Sequence, residues 1–326
     1  MSEGSARPAS AGSEPGITMS KESDMRELRV TLETVTPLFL SGAEARGQPE
    51  LRPPAFRGAL RYWLRAALGG VIGDDNLDGL HRAESAVFGS TNCGSPIAVR
   101  LTGDLETKDA AILPHKGKVK RSAFCEGQSF TLTLSQVRSA TPAVWTAATA
   151  TLALMVALGG VGLRSRRGYG TLRVRASTDT TAVAPTPATL EGWKEHVERV
   201  ADRAIQAVTA LAVSLDIPRV GLKSQPAAFP CATTVGLIHL ADVKAATAVA
   251  ALRTFMEKVP KDKAFGGIEP RQASPLWVRP VQTGEHEYGL LLTVLASRFP
   301  GSNYRRVAEF VGGFGGENLN LKGWNV

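Results

Sequence analysis

Residues 51–68, LRPPAFRGALRYWLRAAL, are the stretch around which the first half of this 326-residue chain is organised. Two prolines favour a helix start, and the predicted helix then carries Arg57, Arg61 and Arg65 at intervals of four residues. At ~100° per residue these arginines lie within roughly 80° of one another, beside an apolar stripe that includes Phe56 and Trp63. Like charges at this spacing repel, so we expect negative charge from outside the helix.

The segments around this helix alternate between strand and helix patterns. A first strand is predicted at residues 28–40, where apolar and polar side chains alternate, and a second helix at residues 142–158. Further strands are predicted at residues 96–102, 129–137 and 171–176. The order strand, helix, strand, strand, helix, strand is that of a ferredoxin-like domain, which the RNA recognition motif (RRM) also uses.

The second half repeats this order more loosely, after a predicted Thr/Pro/Ala linker at residues 177–189 and a long helix at residues 190–213. The sequence therefore predicts an α+β fold with two ferredoxin-like (RRM-like) domains in tandem. They span residues 28–176 and residues 190–326, the second with a leading helix. Residues 1–27 are rich in Ser, Gly, Pro and Glu, which predicts a disordered tail.

Positive charge is concentrated in the first half. The chain has a net charge of +8, and residues 46–175 hold 18 Lys and Arg against 9 Asp and Glu. A polyanion is the simplest partner, with nucleic acid first and an acidic protein surface second. A soluble protein that is merely basic is the third interpretation.

Several classes of protein are disfavoured by the pattern of residues. Three widely spaced cysteines and five scattered histidines support neither a disulfide framework nor a metal site. We predict no cofactor. The apolar run at residues 147–163 is short for a membrane span, and the N-terminus does not resemble a secretory signal. We therefore expect a cytoplasmic protein without membrane contact.

The glycine-rich loop, residues 159–170, follows a helix and precedes a strand, which is the reverse of a dinucleotide-binding fingerprint. Glycines let a backbone approach an anion, and Arg164, Arg166 and Arg167 add fork-shaped donors. Residues 167–170, RGYG, also match the opening of the RRM octapeptide, although its later aromatic positions are absent. This indicates a loop that grips phosphates rather than a sheet that stacks bases; a solvated basic loop is the alternative.

A second basic cluster, with Lys116, Lys118, Lys120 and Arg121, lies in a predicted loop between two strands. His115 precedes it and is the one candidate for a general base in RNA cleavage. A lone loop histidine is more often simply solvated, so we predict no catalytic residue.

Together these segments resemble the RAMP superfamily of CRISPR proteins, specifically the Cmr-one family of type III-B effector complexes. The segments that carry the resemblance are residues 36–42, residues 50–65, Glu84 with residues 87–91, residues 159–162, residues 164–170 and residues 273–281. The resemblance implies two ferredoxin-like domains and a non-catalytic subunit near the 3′ region of the guide RNA (crRNA), which helps to capture complementary target RNA. It implies crRNA, target RNA and other RAMP subunits of the Cmr complex as partners.

We predict an RNA-facing set from the resemblance and the basic clusters: Arg52, Arg57, Arg61, Arg65, Lys118, Lys120, Arg164, Arg166, Arg167 and Tyr169. Two alternatives remain. One is a RAMP-type endoribonuclease that processes CRISPR RNA through His115. The other is a structural protein whose basic face meets an acidic subunit.

Overall fold

The computed structural model of the protein describes residues 1, 25–44, 46–117, 119–220, 226–232, 236–269 and 271–319. Most of the predicted N-terminal tail therefore lies outside the described residues. The predicted mixture of helices and antiparallel strands is confirmed. No helix in the described ranges has the length and apolar character needed to cross a membrane.

In the first half, the described residues form one four-stranded sheet, one small hairpin and three helices. Its elements in chain order are β1 (Glu27–Thr34), α1 (Pro53–Ile72), α2 (Leu77–Phe88), β2 (Ile97–Thr102), β3 (Thr107–Ala111), β4 (Lys120–Phe124), β5 (Ser129–Gln136), α3 (Pro142–Leu158) and β6 (Leu172–Ser177). The sheet has the order β2-β5-β1-β6, and every neighbouring pair is antiparallel. Strands β3 and β4 form the separate hairpin.

The second half begins with a long helix and contains a second four-stranded sheet. Its elements are α4 (Leu190–Ser214), β7 (Leu237–Ala245), α5 (Ala248–Lys258), β8 (Leu276–Gly284), β9 (Glu287–Val294), α6 (Tyr304–Gly312) and β10 (Glu317–Asn318). The sheet order is β10-β7-β9-β8, again antiparallel throughout. The two sheets thus place corresponding strands in the same order.

The alternation of apolar and polar residues along the strands determines which face of the first sheet is covered by helices. Leu28, Val30 and Leu32 of β1 are buried, and they pair in register with apolar residues of β5. Residues two apart on a strand share a face, so this apolar face receives the helices. Phe56 of α1 packs edge-on against Phe130 of β5, with ring centroids 5.6 Å apart.

Helix α3 is apolar on all sides, and other helices surround it. Its residues from Ala147 to Leu158 are all buried, and α1, α2 and α4 pack against it. A helix without a polar face requires such surroundings. Helix α4, predicted as the leading helix of the second domain, therefore lies on the helices of the first half. The predicted linker runs beside β6, where Thr186 donates its backbone N–H to the carbonyl of Val174 at 3.0 Å.

Three sequence predictions about secondary structure were wrong. The helix predicted within residues 51–68 continues through Gly69 and Gly70 to Ile72, and Phe229 and Cys231 pack against the bare face of Gly69. Residues 77–88, for which no helix was predicted, form α2, whose start is capped by the Asn76 side chain accepting from Gly79 N–H. The basic loop between two strands contains the β3–β4 hairpin.

Buried His196 of α4 predicts a loss of stability in acid. Burial, with the charges of Arg199 and Arg279, lowers its pKa from 6.5 to about 4. The folded protein therefore keeps this imidazole neutral, whereas the unfolded chain takes up a proton below pH 6.5. The contribution of the neutral imidazole to the free energy of unfolding is fully present above pH 6.5. We expect about 3 kcal/mol of unfolding free energy to be lost as the pH falls to 4. Urea unfolding across this range measures the loss, and the His196→Leu variant should flatten it. Parallel pH curves for the two proteins would contradict the assignment.

Candidate nucleic-acid interface

Two of the arginines predicted on the first helix are paired with a neighbouring helix. Arg65 of α1 places its Nη1 3.0 Å from both carboxylate oxygens of Glu84 in α2. Arg61 lies 3.2 Å from the same carboxylate through its Nε, and its Nη2 donates to the carbonyls of Phe88 and Gly89 at the end of α2. The expected negative charge from outside the helix is therefore supplied, for these two arginines, by the protein itself.

The arginines at the start of α1 are less constrained. Arg52 is 3.8 Å from the exposed carboxylate of Glu50, a contact that solvent screens. No carboxylate of the described residues forms an ion pair with Arg57. The helix start itself offers few donors, because Pro53 and Pro54 have no N–H and Ala55 N–H already donates to the Arg52 carbonyl. Anion binding here depends on the arginine side chains.

Three basic segments meet on the short stretch of chain at residues 38–40. The loop before α1 joins it through Glu50 N–H, which donates to the Leu40 carbonyl at 2.9 Å. The glycine-rich loop joins it through Leu163 N–H, which donates to the Phe39 carbonyl at 3.0 Å. The hairpin joins it through paired hydrogen bonds between Leu38 and Phe124. The structure thus gathers these segments on one side of the first half.

Cationic side chains from these segments form what we call the basic rim. It consists of Arg52, Arg57, Lys116, Lys120 and Arg164. Lys116 and Lys120 are exposed, whereas the other three side chains are partly exposed. None of the five forms a close ion pair with a described carboxylate, apart from the weak contact of Arg52. Lys118, predicted in the same cluster, lies outside the described residues.

His115 lies beside this rim at the tip of the hairpin. Partial burial lowers its pKa, and the neighbouring charges of Lys116 and Arg164 lower it further, against the carboxylate of Glu257. Its Nδ1 is shielded from solvent and has no hydrogen-bond partner. Arg164 belongs to the glycine-rich loop and Glu257 to helix α5, so charges from both elements act on this imidazole.

Two residues of the glycine-rich loop that were predicted to face RNA have partners inside the protein. Arg166 lies with its guanidinium 5.2 Å from the ring centroids of both Tyr62 and Trp277, and it donates to the carbonyl of Ser274. Tyr169 is 1% exposed and donates its hydroxyl to the carbonyl of Ala111. Burial raises the pKa of Tyr169 to about 12. These contacts hold the loop between α1, the hairpin and β8.

Arg167 has one engaged nitrogen and one without a partner. Its Nη2 donates to the carbonyl of Phe265 at 2.8 Å, whereas its Nη1 is shielded and unpartnered. Burial and the charges of Arg164 and Arg166 lower its pKa to about 10, so it stays protonated at neutral pH. It lines a surface pocket of about 290 Å³ together with Lys261 and Lys263. This pocket combines three cationic side chains that were not predicted to lie together, and the carboxylates of Asp262 and Glu269 also line it.

Comparison with known proteins identifies the same family that the sequence motifs resemble. A family model described as the RAMP superfamily matches residues 31–173. Cmr1-2, a CRISPR system Cmr subunit of Pyrococcus furiosus, is 30% identical over 193 residues, covering 46% of this chain and 96% of that protein. The chain belongs to the Cmr1 family. A second relative, Cmr1-1 of the same organism, is 31% identical over 191 residues, covering 52% of this chain and 55% of that protein.

Solved structures show that the Cmr1 fold extends over most of the chain. The crystal structure of apo Cmr1 from Pyrococcus furiosus matches with a TM-score of 0.64 at 22% identity, over 92% of this chain and 100% of that chain. A chain from the cryo-EM structure of type III-B Cmr-beta bound to cognate target RNA matches with a TM-score of 0.59 at 11% identity. That match covers 87% of this chain and 98% of the other. At these identities the likeness shows a shared fold.

Sequence reasoning missed several residues that shape this Cmr1-family surface. Glu84 was noted only as part of the family resemblance, since α2 was not predicted and its charge pairing was therefore hidden. Lys261 and Lys263 lie in the second half, and only tertiary folding brings them next to Arg167. Their sequence signal is weak, because two lysines in a polar loop are ordinarily solvated. Within the described residues, no group of three or more His, Cys, Asp or Glu is arranged to hold a metal ion.

Proposed function

We propose that this chain is a non-catalytic, RNA-binding subunit of a type III-B CRISPR effector complex. It lies near the 3′ region of the crRNA and helps to capture complementary target RNA, alongside other RAMP subunits. Membership of the Cmr1 family supports the assignment to such a complex, since both curated relatives are named as Cmr subunits. The same family membership supports crRNA and target RNA as partners.

The observation that carries the RNA-binding proposal is the uncompensated charge of the basic rim. Three segments that are separate in sequence place cations on one side of the first half, and the described carboxylates leave them almost unpaired. The pocket beneath Arg167 adds Lys261 and Lys263 of the second half, beside the carboxylates of Asp262 and Glu269, of which Asp262 is already paired with Arg306. Such a surface binds a phosphate backbone with little regard to base sequence.

The proposed interface differs from the set predicted from sequence. It keeps Arg52, Arg57, Lys120, Arg164 and Arg167, and it adds Lys116, Lys261 and Lys263. It leaves out Arg61, Arg65, Arg166 and Tyr169, whose polar groups have partners within the protein. These four residues stabilise the helix and the loop that carry the rim.

The architecture behind this surface is, in our proposal, a pair of ferredoxin-like domains. The strand orders β2-β5-β1-β6 and β10-β7-β9-β8, with helices following the first and third strands of each sheet, support it. We keep the boundary between the domains at residues 177–189. Helix α4 then belongs to the second domain in sequence and packs on the first.

Equilibrium binding of the purified chain to single-stranded RNA tests the proposal. The basic rim and the pocket hold eight cations, of which we expect about four to seven to contact phosphates. The logarithm of the association constant should then fall against the logarithm of salt concentration with a slope of about −3 to −5. Binding should change little when the base sequence is shuffled. A slope near zero, or no binding to RNA, would refute the proposal.

The same experiment separates this proposal from the endoribonuclease. A non-catalytic subunit leaves labelled repeat RNA intact, with or without divalent cations. Cleavage by the purified chain that disappears in His115→Ala would instead assign the chain to RNA processing. If an acidic subunit is the sole partner of the basic rim, the chain should associate with that subunit in the absence of RNA. It should then form no crosslinks to RNA in the assembled complex.

A further inference from the structure

Arg279 of β8 is a fully buried arginine at the junction between the two halves. Its side chain is 1% exposed, its Nη2 donates to the Leu172 carbonyl at 2.6 Å, and its Nη1 lies 3.4 Å from the Gly159 carbonyl. Its guanidinium carbon is 5.2 Å from the ring centroid of Trp193. The third nitrogen, Nε, is buried without a hydrogen-bond partner. Both carbonyl partners belong to the first half, so this arginine joins the halves.

No carboxylate of the described residues neutralises Arg279. The nearby Arg173 and Arg175 share one carboxylate, that of Glu33, with Arg173 Nη2 2.5 Å from Glu33 Oε1. Three guanidinium groups thus accompany one carboxylate in this region. Burial lowers the pKa of Arg279 to about 9, and no charge-pairing effect opposes the shift. The side chain is still protonated at neutral pH, and an unpaired buried charge is strongly unfavourable.

A small cavity lies against these side chains. Its volume is about 50 Å³, and its lining includes Arg173, Arg175, Trp193, Arg279 and Tyr288. A water-sized particle needs ~10–15 Å³ of such space, so the cavity accepts a monatomic ion with one or two waters. A nucleotide is far too large to enter. The cavity therefore has the charge and the size for a small inorganic anion.

We propose that this cavity binds a monovalent monatomic anion, with chloride as its ordinary occupant. The anion supplies the negative charge that Arg279 lacks and stabilises the packing of β8 against β6 and α4. The site is separate from the basic rim and does not depend on RNA binding.

Thermal unfolding of the full chain tests the site at pH 7.5 and constant ionic strength. Sodium chloride and sodium bromide are compared with sodium gluconate, whose anion is too large for the cavity. We expect the halides to raise the Tm of the wild-type protein by about 2–4 °C in a saturable manner. The exposed Arg305→Gln variant should keep this increase, whereas Arg279→Met should lose it.

A crystal grown in sodium bromide gives an independent result on the unaltered protein, including the case in which Arg279→Met does not fold. An anomalous bromide peak in the cavity beside Arg279 is the expected outcome. A cavity that contains only water, with no anomalous peak, overturns the proposal. An equal Tm in halide and gluconate for the wild-type protein also overturns it.

Discussion

RNA affinity at about 0.1 M salt should fall roughly 10- to 30-fold in the double variant Arg52→Gln, Arg57→Gln. Each lost phosphate contact on single-stranded RNA removes about 0.7 from the slope of log affinity against log salt, which sets this magnitude. Both side chains lie at the start of α1, and neither has a close carboxylate partner among the described residues. Fluorescence anisotropy with a labelled single-stranded RNA measures the loss.

The matched control is the double variant Arg61→Gln, Arg65→Gln, which removes the same amount of charge from within α1. These two arginines already interact with Glu84 of α2. We expect the control to lose less than about 3-fold in RNA affinity and to be less stable. If the two variants lost the same RNA affinity, then pairing with Glu84 would not distinguish the arginines that contact RNA from those that do not.

The Gly170→Ala variant should lose about 2–5 kcal/mol of unfolding free energy. Gly170 has φ of 62°, and an added Cβ would overlap the backbone carbonyl of Val161 and lie 3.0 Å from Leu38 Cδ1. A left-handed backbone at an alanine costs about 1–2 kcal/mol, and overpacking adds about 1–3 kcal/mol. Urea unfolding of the purified variant measures the sum.

Gly127→Ala isolates the backbone contribution. Gly127 has φ of 80°, but an added Cβ there meets nothing within 4 Å. Its expected loss is therefore about 1–2 kcal/mol. If both variants lose the same free energy, then close packing of the glycine-rich loop is not what Gly170 provides. The comparison thus separates a tightly packed loop from a flexible loop whose glycines serve only phosphate approach.

Much of the secondary structure was predictable because it follows local pattern. Alternation identified β5 and the first part of the strand predicted at residues 28–40, which ends at Thr34. The proline at the start of α3 and the glycines after it identified that helix within its observed bounds, Pro142–Leu158. Helix α2 was missed because its segment opens with aspartates, asparagine and glycine, which are typical of turns. Strands β3 and β4 were missed because their short sequences, TKDAA and KRSAF, are mostly polar.

The candidate site was only partly predictable, because the role of an arginine depends on distant residues. Arg166 and Arg164 are two positions apart in one loop, yet Trp277 and Ser274 of the second half engage only Arg166. Similarly, Arg57 and Arg61 are equivalent by helical periodicity, but Glu84 lies beside Arg61 alone of the two. Sequence composition located the positive charge in the first half, whereas the direction of each side chain required the tertiary fold.

The salt dependence of RNA binding, measured in parallel for the wild-type protein and the Arg52→Gln, Arg57→Gln variant, tests the central claim most directly. Two lost phosphate contacts should make the slope of log affinity against log salt shallower by about 1.4. The Arg61→Gln, Arg65→Gln control should keep a slope close to that of the wild-type protein. Parallel lines for the wild-type protein and the Arg52, Arg57 variant would contradict the account, because the start of α1 would then make no contact with the RNA backbone.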